Sequence, residues 1–132
     1  MIAAASEIIR NDIYDRAPVK AWGRGRITLL GDAAHPTTPN LGQGACQALE
    51  DAVVLADRLR ASSAIEPALR EYEEIRGPRT RLITNESYRL GRISQSENPM
   101  IRWGSRLAVQ VMPPSVSWWS FERFLKTELP VL

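Results

Sequence analysis

The apolar residues fall into short β-type runs near the start of the chain and long helical runs after residue 42. Ile8-Ile9-Arg10-Asn11-Asp12-Ile13-Tyr14-Asp15-Arg16 carries β-branched and aromatic residues in partial alternation, which predicts a strand ended by Pro18. Trp22-Gly23-Arg24-Gly25-Arg26 reads as a glycine-punctuated turn. Arg26 to Leu30 reads as a short apolar strand of the kind buried in a parallel sheet. Pro36 and Pro39 keep the next stretch, Asp32 to about Leu41, from becoming helix. A first helix is expected to start near Gly42 to Gly44, and Ala45, Leu49, Ala52, Ala56 and Leu59 recur at helical spacing as its buried face. Ala61-Ser62-Ser63 breaks it. A second helix is expected from Glu66-Pro67, with Leu69, Tyr72, Ile75, Leu82 and Ile83 inside and a kink at Gly77-Pro78, resuming towards Leu90. Ile101 to Met112 predicts a third helix ending at Pro113-Pro114, and Ser117 to Leu125 a short last one.

This inventory is unbalanced for a nucleotide-binding sheet, which needs several strands. The fingerprint G-x-G-x-x-G after a first strand is absent, and Gly23-x-Gly25 precedes a strand without opening a helix. The chain has 132 residues, the size of one domain, with a hydrophobic share of 44% that argues against disorder. It has no apolar run of transmembrane length and no signal-peptide pattern at its start, so a cytoplasmic location is expected. One cysteine and one histidine argue against a disulfide and against a metal site. The net charge is +2, and the arginines are mixed with acids such as Glu71, Glu73 and Glu74. That pattern describes a salt-bridged helix surface, not the one-sided basic stripe of a nucleic-acid binder.

The chemistry concentrates in Gly31-Asp32-Ala33-Ala34-His35-Pro36-Thr37-Thr38-Pro39-Asn40-Leu41-Gly42-Gln43-Gly44-Ala45, between an apolar β-prone run and the first helical pattern. A strand that stops at Gly-Asp, followed by a glycine-containing loop and a helix start, can hold a polar ligand against backbone N–H groups. Asp32 either accepts hydrogen bonds from ligand hydroxyls or caps loop N–H groups. Gly42, Gly44 and Ala45 let a flat ring approach the backbone, and the N–H groups from Gly44 to Cys46 suit a negative charge. His35 is expected to be a satisfied structural residue and not to act as an acid or base. Cys46 is expected to be a small buried hydrophobe. Glu50 and Asp51 are assigned structural roles. Trp103, Trp118 and Trp119 are expected in a core or interface and not against substrate.

The stretch from Gly31 to about Leu59, and more loosely Asp12 to Arg81, resembles the second flavin-binding motif of the class A FAD-dependent monooxygenases, the aromatic-ring hydroxylase family. The flavour is that of the salicylate hydroxylase and zeaxanthin epoxidase branch. The resemblance implies a predominantly helical α/β fragment, the C-terminal portion of a Rossmann-like FAD/NAD(P)-binding fold of the p-hydroxybenzoate hydroxylase type. It implies that residues 1–132 are a partial FAD-binding domain. Residues 1–60 would carry strands, flavin loop and first helix, and residues 61–132 the C-terminal helical region. It implies FAD contact by Gly31, Asp32, Pro39, Leu41, Gly42, Gln43, Gly44, Ala45 and Cys46, with Asp32 on the ribityl chain and Pro39 beside the reactive edge of the ring. It implies ion pairs inside the fold from Arg76 and Arg79, which sit in a Tyr72-Glu73-x-x-Arg76-x-x-Arg79 stretch. It also implies an enzyme that uses NAD(P)H and O2 to hydroxylate or epoxidise a small organic substrate. The alternative is a truncated, non-catalytic helical interaction module that keeps the motif without binding FAD alone. Either way the isolated chain is expected to self-associate or aggregate and to purify colourless.

Overall fold

The computed structural model describes residues 6–7, 9–113, 115–116, 122 and 124–126. Three helices dominate: α1, Gly44–Ala61; α2, Ile65–Ser94; and α3, Pro99–Val111. Two single 3-10 turns, Gly31–Ala33 and Pro39–Leu41, interrupt the loop ahead of α1. α1 starts at one end of the expected window and ends at Ala61, where Ser62 turns extended. α2 starts at Ile65 and runs unbroken past Pro78. α3 opens with Pro99 in its first turn and Asn98 as its cap, whose Oδ1 accepts the Met100 N–H at 2.9 Å. It stops at Val111, two residues before Pro113. The expected short helix over Ser117 to Leu125 lies mostly outside the described residues, as do Trp118 and Trp119.

Neither expected strand forms a ladder among the described residues. Residues 9–19 have no regular structure, and the only bridge near Arg26 to Leu30 is the antiparallel Arg24 to Ile27 pair. That pair closes the glycine turn, with N–H···O contacts of 3.0 and 3.2 Å. Leu30 is extended (φ −141°, ψ 148°), but a strand needs a neighbour to pair with. Ile27, Leu29 and Leu30 stay exposed.

The core sits where α1 and α2 meet the loops ahead of them. Trp22, Ala34, Val54 and Tyr72 form its apolar centre, with Val19 and Leu55 packed against it. The Trp22 ring lies 5.6 Å, edge-on, from Tyr72 and 5.4 Å from His35. The face of α1 that packs here is not the expected one. Gln47, Glu50, Asp51, Val54 and Asp57 are buried, whereas Ala45, Leu49, Ala52, Ala56 and Leu59 are exposed. The reason is charge. Glu50 and Asp51 meet the guanidinium groups of Arg76 and Arg79 on α2, Asp57 meets those of Arg58 and Arg60 on α1 itself, and no described element covers the apolar stripe. α2 buries Leu69, Tyr72 and Ile83 as expected, but leaves Ile75 and Leu82 exposed and places Arg76 inside instead. Trp103 is 68% exposed, so it is not a core residue. No described helix is long and apolar enough to cross a membrane.

Candidate functional site

The start of α1 is built to stay open. Its cap position, Gln43, makes no side-chain hydrogen bond to the helix, and no acidic residue lies in the first turn. The first intrahelical bond runs from the Gln47 N–H to the Gln43 carbonyl at 2.9 Å. The N–H groups of Gly44, Ala45 and Cys46 therefore have no acceptor within the helix. They carry the positive end of an 18-residue dipole. Gly42 adopts φ +65°, a left-handed conformation that favours glycine, and a Cβ added there would meet nothing within 4 Å. A Cβ on Gly44 would meet only the Asp32 carboxylate, 3.9 Å away. Asp32 is exposed and lies beside the open helix start. Backbone donors and a carboxylate acceptor thus sit together over free space. Such a pair can hold a ligand that carries an electron-rich edge and hydroxyl groups.

The residues expected to touch a cofactor divide into two sets. Asp32, Pro39, Gly42, Ala45 and Cys46 are exposed, and Leu41 and Gly44 are partly so. Gly31 and Gln43 are buried. The Gly31 N–H is committed to Asp51 Oδ2 at 3.0 Å, which makes Gly31 part of the support. Cys46 corrects an expectation: its thiol is exposed, because the first turn of α1 faces outward.

Beneath the open side lies a buried network. His35 Nε2 and Asp51 Oδ2 are 2.6 Å apart. Asp51 Oδ1 accepts from Arg76 Nε at 2.7 Å. Arg76 also donates to Glu50 Oε2 at 2.6 Å and to Gln47 Oε1 at 2.8 Å. Arg79 donates to both Glu50 oxygens, at 2.8 and 3.1 Å. Asp51 is fully buried and Arg76 is 2% exposed. Burial pushes the Asp51 carboxyl up, but bonds from His35, Arg76 and the Gly31 N–H outweigh it and hold the group below the usual carboxylate range. For Glu50, burial is likewise outweighed by Arg79 and Arg76, and the net direction is down. Tyr72 is pushed above its ordinary value by burial and by nearby Asp51, so it stays a phenol. Its hydroxyl donates to the Leu29 carbonyl at 3.3 Å.

The expectations of a structural His35, structural Glu50 and Asp51, and internal ion pairs for Arg76 and Arg79 agree with this geometry. What sequence reasoning missed is the second tie to α2, through Thr84 and Ser87. Thr37 Oγ1 lies 2.9 Å from Thr84 Oγ1, and Ser87 Oγ donates to the Thr38 carbonyl at 2.6 Å. The signal was small polar residues on an otherwise long-chained helix. Behind the loop, Arg16 donates to the carbonyls of Ala33 and Ala34, both at 2.9 Å. A cavity of about 370 Å³ lies there, between residues 15–18 and Thr84, Asn85 and Tyr88.

A family model described as "FAD binding domain" matches residues 9–87, more than half of the chain. The chain belongs to the FAD-binding domain family of flavin-dependent monooxygenases. It is 47% identical over 108 residues to aurachin C monooxygenase/isomerase of Stigmatella aurantiaca, covering 82% of this chain and 28% of that protein. It is 40% identical over 113 residues to 2-heptyl-3-hydroxy-4(1H)-quinolone synthase of Pseudomonas aeruginosa, covering 86% of this chain and 29% of that one. Zeaxanthin epoxidase of Solanum lycopersicum is 46% identical over 86 residues, 58% of this chain and 13% of the epoxidase. Among solved structures, an FAD complex of a variant of Klebsiella pneumoniae HpxO superposes with a TM-score of 0.81 at 34% identity. It covers 86% of this chain and 30% of HpxO. The chain therefore spans under a third of the length of these relatives.

Proposed function

We propose that this chain supplies the flavin-facing part of an FAD-dependent monooxygenase acting on a small organic substrate. The carrying observation is the uncapped, outward-facing start of α1 with the Asp32 carboxylate beside it. In this reading FAD lies against Asp32, Pro39, Leu41, Gly42, Gly44, Ala45 and Cys46, while Gly31 and Gln43 support the loop from inside. Bound FAD supplies electron transfer from NAD(P)H and activation of O2. The chain's own residues supply position and field. The N–H groups of Gly44, Ala45 and Cys46 point their dipoles at the electron-rich edge of the ring and stabilise negative charge there without reorganising. Asp32, exposed beside the helix start, would accept a hydrogen bond from a polyol hydroxyl of the cofactor. Pro39 adds an apolar wall that keeps water from the reacting edge.

The rest of the fold follows from the same reading. Arg26 to Leu30 becomes one strand of a Rossmann-like α/β sheet, and the apolar stripe of α1 packs on that sheet. Residues 1–60 carry the loop and first helix, and residues 61–132 carry the helical support. The cradle for the adenosine and pyrophosphate comes from sequence outside these residues, because the G-x-G-x-x-G turn is absent from them. The small molecules in the relatives' names, a quinolone made by a synthase, zeaxanthin for an epoxidase and uric acid in a complex of HpxO, support a cofactor that carries the oxygen chemistry on many frameworks.

The test is a titration of the isotope-labelled chain with FAD, read by amide NMR shifts. At millimolar FAD the amides of Asp32, Gly42, Gly44, Ala45 and Cys46 should move. ADP, which has the pyrophosphate and adenosine but no flavin, should leave them in place. The purified chain itself should be colourless. Unmoved amides at the α1 start, or equal shifts with ADP, would favour the non-catalytic helical module.

A further inference from the structure

We propose that Ser87, on α2, is a positioning residue for the flavin loop, and that its single hydroxyl sets where the turn Pro39–Leu41 sits. The inference rests on the reading of the α1 start as the flavin-facing surface. Ser87 is fully buried. Its Oγ donates to the Thr38 carbonyl at 2.6 Å. It accepts from Thr38 Oγ1 at 3.0 Å and from the Leu41 N–H at 3.4 Å. A serine hydroxyl has one proton and two lone pairs, and all three are used here. Thr38 and Leu41 flank Pro39 on either side, so one atom of α2 grips both ends of the turn. Asn40 closes the grip. Its Nδ2 donates to Thr38 Oγ1 at 2.9 Å and to the Ser87 carbonyl at 3.2 Å. One helical turn further along α2, Gly91 makes room for it, since a Cβ there would stand 2.4 Å from Asn40 Nδ2. Neither Ser87 nor Asn40 is among the residues assigned to touch the cofactor.

The consequence is mechanical. Gly42 follows the turn directly, with its N–H bonded to the Pro39 carbonyl at 3.0 Å, and α1 begins at Gly44. The loop therefore hangs from several supports along its length. Asp51 holds its beginning, at Gly31 and His35, Arg16 and Thr84 hold its middle, at Ala33, Ala34 and Thr37, and Ser87 holds its end. Releasing the last of them leaves the helices and the ion pairs in place but lets Pro39 and the first N–H groups of α1 drift relative to Asp32. A site that reads ring position loses function from small displacements of this kind.

The experiment compares Ser87→Ala with the unaltered chain by local hydrogen exchange, thermal melting and the FAD titration. The Leu41 and Gly42 amides should exchange about tenfold faster in Ser87→Ala, the scale expected for losing one buried hydrogen bond. Amides in the middle of α1, around Val54, should keep their protection. FAD-induced shifts at Gly44, Ala45 and Cys46 should need several-fold more FAD. Asn40→Ala loosens the same turn from the loop side and supplies the same readouts if Ser87→Ala does not fold. Unchanged exchange at Leu41 and Gly42 in both variants overturns the proposal. So does faster exchange with unchanged FAD dependence. If the unaltered chain shows no FAD shifts at all while Ser87→Ala still frees the turn, the flavin reading fails and the clamp stands as a property of the loop.

Discussion

α1 carries two opposite faces with opposite fates. The polar one, Gln47, Glu50, Asp51 and Asp57 around Val54, is buried against α2. The apolar one, Ala45, Leu49, Ala52, Ala56 and Leu59, is open. Burial here follows complementarity, not hydropathy. A carboxylate beside a guanidinium with every lone pair engaged can be sealed from water, and a methyl stripe with no opposing surface cannot be. The buried polar seam holds the fold that this chain makes. The open apolar face meets no described element of the chain.

Cutting the seam should have the largest effect. Arg76→Ala leaves Asp51 and Glu50 buried with part of their compensation gone, and losses of about 3–5 kcal/mol are typical when one partner of a buried pair is removed. A fold this small loses most of its stability at that cost. Urea unfolding followed by circular dichroism measures it. A midpoint within error of the unaltered chain would mean that water reaches these carboxylates and the seam is not sealed.

Acid should open the same seam reversibly. Asp51 and Glu50 are both held below their ordinary values of 3.8 and 4.5. Above about pH 5 they are ionised in the folded and unfolded chain alike, and the seam's contribution is complete. As pH falls through the ordinary range the unfolded chain takes up protons first, so stability drops, and it is gone below the folded values. The thermal midpoint should therefore fall steeply below about pH 5 and be flat just above it. Midpoints that rise on acidification would reverse the sign of the argument.

On the open side the expected effects are smaller and concern the ligand. Asp32→Ala removes an exposed carboxylate with no assigned duty in the seam. It should leave unfolding unchanged and weaken FAD binding by about 1–3 kcal/mol, the worth of a hydrogen bond to a charged acceptor. Loss of stability with unchanged FAD dependence would make Asp32 a loop cap.

The helices were readable because their periodicity is strong and their ends are marked by Ser62-Ser63, Pro67 and Pro113; the Pro99 start of α3 was missed. The loop and the helix start were readable because glycine spacing encodes backbone geometry directly. That Arg76 and Arg79 form ion pairs inside the fold was readable only through the family resemblance, and their partners Glu50 and Asp51 were not readable. Which side of α1 would be buried was not readable. Periodicity locates a stripe, but whether the stripe faces a partner depends on surfaces elsewhere in sequence. The strands failed for the same reason. Arg26 to Leu30 has strand composition, and Leu30 has strand dihedrals, but pairing is a property of two segments. The Ser87 clamp left a trace too small to interpret, because a serine in a helix is ordinary until its three bonds are seen.

The smallest effect tests the open face itself. Leu49 is 69% exposed at the centre of the apolar stripe, whereas Val54, on the opposite side of the same helix, is 3% exposed. Within the chain alone, Leu49→Gln removes almost no buried area. It should change unfolding stability by no more than about 0.5 kcal/mol, the range of ordinary surface substitutions. It should also reduce any self-association, because contiguous exposed apolar surface drives contact between copies. Urea midpoints and sedimentation of the two proteins measure both quantities. A marked loss of stability in the monomer would show that Leu49 packs inside this chain, and the division of α1 into a sealed polar face and a waiting apolar one would fall. Unchanged stability with fewer oligomers would place the stripe outside the chain's own fold, where an added sheet could cover it.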